Sequence, residues 1–190
     1  MKNNGELINI AKQIQKKSDR LIVWNTKYYP RYWRIEKSQI IAEMIKKGKD
    51  DQGGDCGGPF YQLEEKEYNS KTKRLWIYVN HPENKLMYVC EATPTRGKLP
   101  VNNPPCGLSY CCDAIEKYNQ EKAKSYVSDK ICKFAYKLNL IHKFDKGNSL
   151  EELKKYEHSE SRKPWKPPQS SVYVDSYPEL VKDIIAGKVW

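Results

Sequence analysis

The sequence predicts an α+β fold, and three observations carry that expectation. Two alternating β-rich runs, at 75–79 and 86–91, flank a short turn. Helical patterns with one apolar face occur before, between and after the β-rich runs. The two kinds of segment are interspersed without the regular strand-helix-strand rhythm of a parallel sheet. No repeat, low-complexity tract or linker divides the 190 residues. A single domain over 1–190 is therefore expected, with 1–19 as an N-terminal helical segment and 20–187 as the body.

The elements follow in order. Leu7, Ile10, Ala11 and Ile14 repeat at helical spacing and predict a helix from Gly5 to Lys17. Leu21 to Asn25 is a short β-rich run, followed by the aromatic and basic segment Tyr28-Tyr29-Pro30-Arg31-Tyr32-Trp33. Ser38 caps a helix bearing Ile40, Ile41, Met44 and Ile45, with Gly48 as its stop. Residues 48–58 form a glycine-rich loop; it lacks the Lys-Ser/Thr of a phosphate-binding loop and follows no strand. Leu75 to Val79 and Leu86 to Glu91 make a hairpin turned by His81-Pro82-Glu83-Asn84. A proline-rich surface loop occupies 94–105, and Asp113 with Glu116 boxes a short helix. Residues 132–140 alternate apolar with polar, the pattern of a strand with one buried and one wet face. Ser149 and Glu152 box another helix, Ser171 to Val174 is strand-like, and Ser176 with Glu179 opens a last helix ended by Gly187.

Composition narrows the partner. There are 34 Lys+Arg against 24 Asp+Glu, a formal net charge of +10. The isoelectric point is about 9.2 and the mean hydropathy −0.87. An anionic partner suits this charge. The 14 Tyr and 5 Trp far outnumber the 3 Phe, and their rings offer a flat π-face with a polar edge. The longest apolar run, Leu21 to Trp24, falls far short of a membrane span, and the first residues hold no apolar signal core. An intracellular, cytoplasmic protein without a membrane partner is expected. The six cysteines, Cys56, Cys90, Cys106, Cys111, Cys112 and Cys132, then read as reduced thiols. The set Cys106, Cys111, Cys112 and Cys132 contains no Cys-x-x-Cys pair, so no zinc is assigned. His81, His142 and His158 show no ligand spacing, and no cofactor is expected.

Three blocks in order resemble the PUA-like superfamily, and within it the EVE, YTH and ASCH group. They are Leu21-Ile22-Val23-Trp24-Asn25-Thr26 with the aromatic loop and helix, then Arg74 to Val79 with Lys85 to Ala92. The third is the order Tyr136 to Leu140, Ser149 to Lys154, Pro168 to Tyr173 and a closing helix. The resemblance spans about residues 20–187 and departs from the pattern at Cys90, where glycine is usual, at Ser70-Lys71-Thr72-Lys73, and in an insertion around 94–129. It implies a small twisted β-barrel flanked by helices, and a nucleic-acid-binding module that holds a modified or flipped base in an aromatic pocket.

The residues suit that chemistry. A flipped base needs stacking partners, at about 1–3 kcal/mol each, and polar groups on its edge. Lys and Arg around it hold phosphates. The resemblance places part of the cage at Trp24 and Asn25; Tyr28, Tyr29, Tyr32 and Trp33 crowd the adjoining loop, and Trp165 lies among prolines and lysines. Lys27, Arg31, Arg34, Lys71, Lys73 and Arg74 are the candidate phosphate contacts. Each has a plainer alternative: packing for the tryptophans, solvation for the charges.

Enzymatic alternatives stay open in outline. Tyr78, Tyr88, Arg96 and Glu116 resemble the tyrosines, arginine and glutamate of GIY-YIG nucleases, but Trp76 and Cys90 stand at the glycines that define that motif. Glu64-Glu65-Lys66 supplies a Glu-x-Lys of common residue types. No catalytic residue is assigned. A small hydrolase or nuclease on the same fold, and a basic subunit of a ribonucleoprotein or protein assembly, are the alternative functions.

Overall fold

Helix α1 (Asn4–Lys12) opens a computed structural model that describes residues 4–24, 61–64, 66–80, 83–94, 134–169 and 171–189. The chain divides into two compact units, one of residues 1–24, 69–90 and 141–190, the other of residues 25–68 and 91–140.

In the first unit α1 buries Leu7, Ile10 and Ala11 and leaves Gly5, Glu6 and Lys12 exposed. It ends five residues before Lys17, short of the expected span. Gln13 and Ile14 donate to carbonyls three residues back, which tightens the last turn, and Lys17 adopts a left-handed φ of 65°. That reversal starts β1 (Asp19–Trp24). Strand β1 runs parallel to β3 (Arg74–Val79), from Asp19 opposite Arg74 to Trp24 opposite Val79. It runs antiparallel to β6 (Ser171–Tyr173), with Arg20 opposite Tyr173 and Ile22 opposite Ser171. Strands β4 (Lys85–Pro94) and β5 (Phe134–Ser149) extend the order to β5-β4-β3-β1-β6.

All six residues of β3 are buried, as a central strand covered on both faces requires. Because side chains alternate, Leu21, Trp76 and Tyr78 share one face. They join Leu7, Ile10, Phe144, Trp165, Leu180 and Ile184 in a continuous core. Helix α1 packs there against α3 (Pro178–Ile185). Ile22, Trp24, Ile77 and Val79 point to the other face and are also buried.

Helix α2 (Leu150–Leu153) carries the expected box: Ser149 accepts from the Glu152 N–H, and the Glu152 carboxylate accepts from the Ser149 N–H at 2.7 Å. The last helix, read as opened by Ser176 and Glu179, starts two residues beyond Ser176. Residues Val174–Ser176 make a turn of 3-10 helix, the Ser176 carbonyl accepts from Ser159 N–H, and α3 instead begins with Pro178 at its first turn behind Tyr177. Gly187 stops α3 at a φ of 70°.

In the second unit β2 (Tyr61–Glu64) pairs antiparallel with the start of β5, from Tyr61 opposite Lys137 to Glu64 opposite Phe134. Buried Tyr136 and Leu138 alternate with exposed Lys137 and Asn139, as the sequence pattern requires, but the strand continues to Ser149. The α+β class holds. Among the described residues the sheet does not close into a barrel: β6 spans three residues and passes directly into the 3-10 turn. The helix expected at Ser38, the glycine-rich loop and, beyond Pro94, the insertion around 94–129 lie outside the described residues.

Candidate nucleic-acid interface

The N-terminal ends of β1 and β3 are locked by a buried carboxylate. Asp19 is fully buried and accepts from Arg74 Nε at 2.6 Å, Arg74 Nη2 at 3.0 Å and Trp76 Nε1 at 2.9 Å. Ser18 Oγ also donates to it. Arg74 Nη1 reaches Gln13 Oε1 at 3.1 Å, which ties α1 to the same knot. A bidentate arginine held this way keeps its fork for the carboxylate. Arg74 is thus an internal ion-pair partner, and the expectation that it faces phosphate is corrected: its side chain is 8% exposed.

Lys71 and Lys73 are placed differently. Both are exposed, on a turn in which Lys71 N–H bonds Asn69 Oδ1 at 2.9 Å and Thr72 N–H bonds the Asn69 carbonyl. Lys73 N–H then bonds the Ser18 carbonyl at 2.8 Å, which brings this turn beside Lys17.

Trp24 stands at the far end of β1. It is 2% exposed, its ring lies 6.1 Å from that of Tyr88 at a tilt of 42°, and its carbonyl accepts from Asn80 N–H at 2.9 Å. The adjoining candidates Asn25, Lys27, Tyr28, Tyr29, Arg31, Tyr32, Trp33 and Arg34 lie outside the described residues. Trp165 is 1% exposed and packs 5.0 Å from the Tyr78 ring, on the face of the sheet opposite to Trp24. Its burial in the core corresponds to the packing alternative given for it and leaves its ring no exposed face for a base. Its backbone N–H bonds the Tyr156 carbonyl at 2.7 Å, which follows from the bridge between Glu157 and Pro164.

Among the described residues, the candidates Trp24, Trp165, Lys71 and Lys73 are not gathered into one pocket. Trp24 and Trp165 are separated by the sheet. Lys71 and Lys73 are separated from Trp24 by the length of β1 and β3, five residue steps in the register from Asp19 to Trp24, or about 17 Å at about 3.3 Å per residue.

Sequence reasoning missed a second cationic group. Arg20 bonds Ser171 Oγ through Nε at 3.0 Å and the Tyr173 hydroxyl through Nη1 at 3.3 Å, with its guanidinium 4.8 Å from the Tyr173 ring centre. Lys17 Nζ lies 5.8 Å from the same ring. Only the pairing of β1 with β6 creates this arrangement, so no local motif announces it.

The titrating groups behave as buried ones. Burial pushes the Cys90 thiol up to about 12 and holds His142 below the ordinary histidine range, with Asp145 opposing the latter. Among the described residues no group of His, Cys, Asp or Glu could hold a metal ion. Cys106, Cys111, Cys112 and Cys132 lie outside them.

The architecture matches a solved structure, that of ASCH from Zymomonas mobilis, with a TM-score of 0.51 over 88% of this chain and 96% of that chain, at 14% identity. The chain has an ASCH fold. Two single-residue variants of the same Zymomonas mobilis ASCH protein are also similar, with TM-scores of 0.48 and 0.49 at 14% and 15% identity. They cover 87% and 89% of this chain, and 97% and 98% of theirs. No protein-family profile and no curated protein matches the sequence. The ASCH fold agrees with the resemblance read from the order of the three sequence blocks, and at this identity it speaks for architecture alone.

Proposed function

We propose that this protein is a nucleic-acid-binding module that reads a modified or flipped base through the segment following β1. The observation that carries the reading is the anchorage of Trp24. Its side chain is buried against Tyr88 and its carbonyl is tied to Asn80, so the segment that begins at Asn25 leaves from a fixed point of the sheet. That segment interleaves Tyr28, Tyr29, Tyr32 and Trp33 with Lys27, Arg31 and Arg34. Aromatic faces supply stacking and the cations supply phosphate attraction, which together suit a base presented on its backbone. The net charge of +10 supports the same partner. In this reading the sheet is part of a PUA-like barrel and the protein works inside the cell on DNA or RNA, with Trp24 anchoring the start of the segment.

The test is fluorescence anisotropy with paired oligonucleotides, one carrying a modified base and one unmodified. Trp33→Ala is expected to weaken binding to the preferred oligonucleotide by about 1–3 kcal/mol and to reduce the preference between the two. Equal affinity of the unaltered protein for both oligonucleotides would remove base reading from the account. Cleavage of the oligonucleotide during the titration would replace it with the nuclease alternative.

A further inference from the structure

Among the described residues, three lysines in and beside the two C-terminal helices are paired with carboxylates, whereas four lysines close together at the β1/β3 end are not. On α2 and α3, Lys154 pairs with Glu151 and Lys182 with Glu179, and beyond α3 Lys188 pairs with Asp183. At the N-terminal ends of β1 and β3, the exposed Lys16, Lys17, Lys71 and Lys73 have no carboxylate on their ammonium groups. Asp19, at the start of β1, is buried and already neutralised by Arg74. Asp175 is engaged with the Lys17 backbone N–H at 3.2 Å. Four unneutralised cations on adjacent turns repel one another, and an arriving polyanion relieves that repulsion.

The support beneath them is rigid. The Ser18 carbonyl accepts from both Lys73 N–H at 2.8 Å and Arg74 N–H at 3.3 Å, fixing the two turns side by side. The Tyr173 ring lies under Lys17 and Arg20, and Arg20 is itself held by Ser171 and Tyr173. A cation over an aromatic face is restrained at little cost. The neighbours Gln13, Gln15, Asn69 and Ser70 are polar. Ile185 on α3 is the one large hydrophobic side chain exposed among the described residues. A membrane-docking surface needs apolar side chains to insert beside its cations, and this patch has none.

We propose that this end of the sheet is a second contact for the same nucleic-acid strand, in which Lys16, Lys17, Lys71 and Lys73 hold backbone phosphates on the brace of Arg20 and Tyr173. The inference rests on the reading that the segment after Trp24 contacts a base. The lysines then lie at the opposite end of β1 from Trp24, the residue from which that segment departs, five register steps away. The consequence is a length requirement: a ligand too short to span the strands engages one contact only.

The experiment measures affinity for single-stranded oligonucleotides of 2 to 12 nucleotides, each with the preferred base at one end, over a range of salt. The unaltered protein is expected to gain affinity steeply once the oligonucleotide is long enough to reach both contacts. Combined charge reversal, Lys16→Glu, Lys17→Glu, Lys71→Glu and Lys73→Glu, is expected to abolish that gain while leaving base preference on short ligands intact. It should lower the magnitude of the log-affinity against log-salt slope by about 3, near 0.7 for each phosphate no longer neutralised. Lys71→Gln with Lys73→Gln, milder changes on an exposed turn, should produce about half that effect. Reversal at the paired Lys154 and Lys182 should leave the length dependence and the slope unchanged. A quadruple variant with unaltered length dependence and slope overturns the inference while the base-reading proposal stands. A normal length dependence in a protein that shows no base preference overturns the base reading and leaves this contact in place. Binding to vesicles of anionic lipid with none to oligonucleotides overturns both.

Discussion

Asp19 shows how much one side chain organises here. Its carboxylate takes hydrogen bonds from Arg74, Trp76 and Ser18, and through Arg74 it reaches Gln13 of α1. A buried ion pair is weak evidence of net stabilisation, but removing one member leaves the other charge stranded. Asp19→Ala is expected to cost about 3–5 kcal/mol, read as a fall in the urea midpoint with an unchanged slope. A loss under about 1 kcal/mol would mean that Arg74 finds water in the variant. Tyr78 is the opposite case. Its hydroxyl is buried and has no hydrogen-bond partner among the described residues, and burial raises its pKa. An unsatisfied buried polar group costs about 1–3 kcal/mol, so Tyr78→Phe should be neutral or stabilising in the same denaturation experiment. A clear loss of stability would show that the hydroxyl has a partner.

Among the elements, those set by neighbours in sequence were legible and those set by distant partners were not. The capping box at Ser149 and Glu152 needs only residues three apart, and it forms as read. Strands β3 and β4 announced themselves by alternation and a turn between them, and Gly187 by its place after an apolar face. Arg74 read as a surface cation because its partner Asp19 lies 55 residues away. Arg20 likewise meets Ser171 across 151 residues. Trp165, among prolines and lysines, read equally well as a base contact or as packing, and the bridge between Glu157 and Pro164 accompanies its place in the core. The candidate base-binding loop was legible as chemistry: aromatic and basic residues alternate within ten positions after Trp24. Strand β5 carries a further constraint. Gly147 has a φ of 67°, and a Cβ there would collide with Met87 Sδ and stand 3.1 Å from the Leu86 carbonyl oxygen. Left-handed strain and overpacking then act together, so Gly147→Ala is expected to destabilise by about 2–4 kcal/mol. Thermal unfolding tests this, and an unchanged midpoint would require β5 to relax at that point.

For the whole molecule, the buried thiol and tyrosines set the alkaline limit. Cys90 is pushed up to about 12 from 9.0, and Tyr78, Tyr156 and Tyr177 are also raised, all chiefly by burial. Below the unfolded pKa both states hold these protons. Above it the unfolded chain loses them first, so stability falls as pH rises through the folded pKa. For Cys90 that window runs from pH 9 to about 12. The urea midpoint should therefore drop between pH 9 and 11, and Cys90→Ala should drop less steeply over that interval from its own lower starting point. A midpoint that is constant or rises over the interval would contradict the burial of these groups.

The charge of the molecule bears on function more directly than on stability. A net +10, combined with lysines that carry no internal carboxylate partner at the β1/β3 end, leaves an unbalanced field that a polyanion can satisfy. The most direct measurement is the affinity of the unaltered protein for modified and unmodified single-stranded oligonucleotides at several salt concentrations. Nucleic-acid binding by this ASCH-fold protein predicts a linear fall of log affinity with log salt and a preference for one base that persists across the series. Affinity that is absent, or indifferent both to salt and to the base, would contradict it.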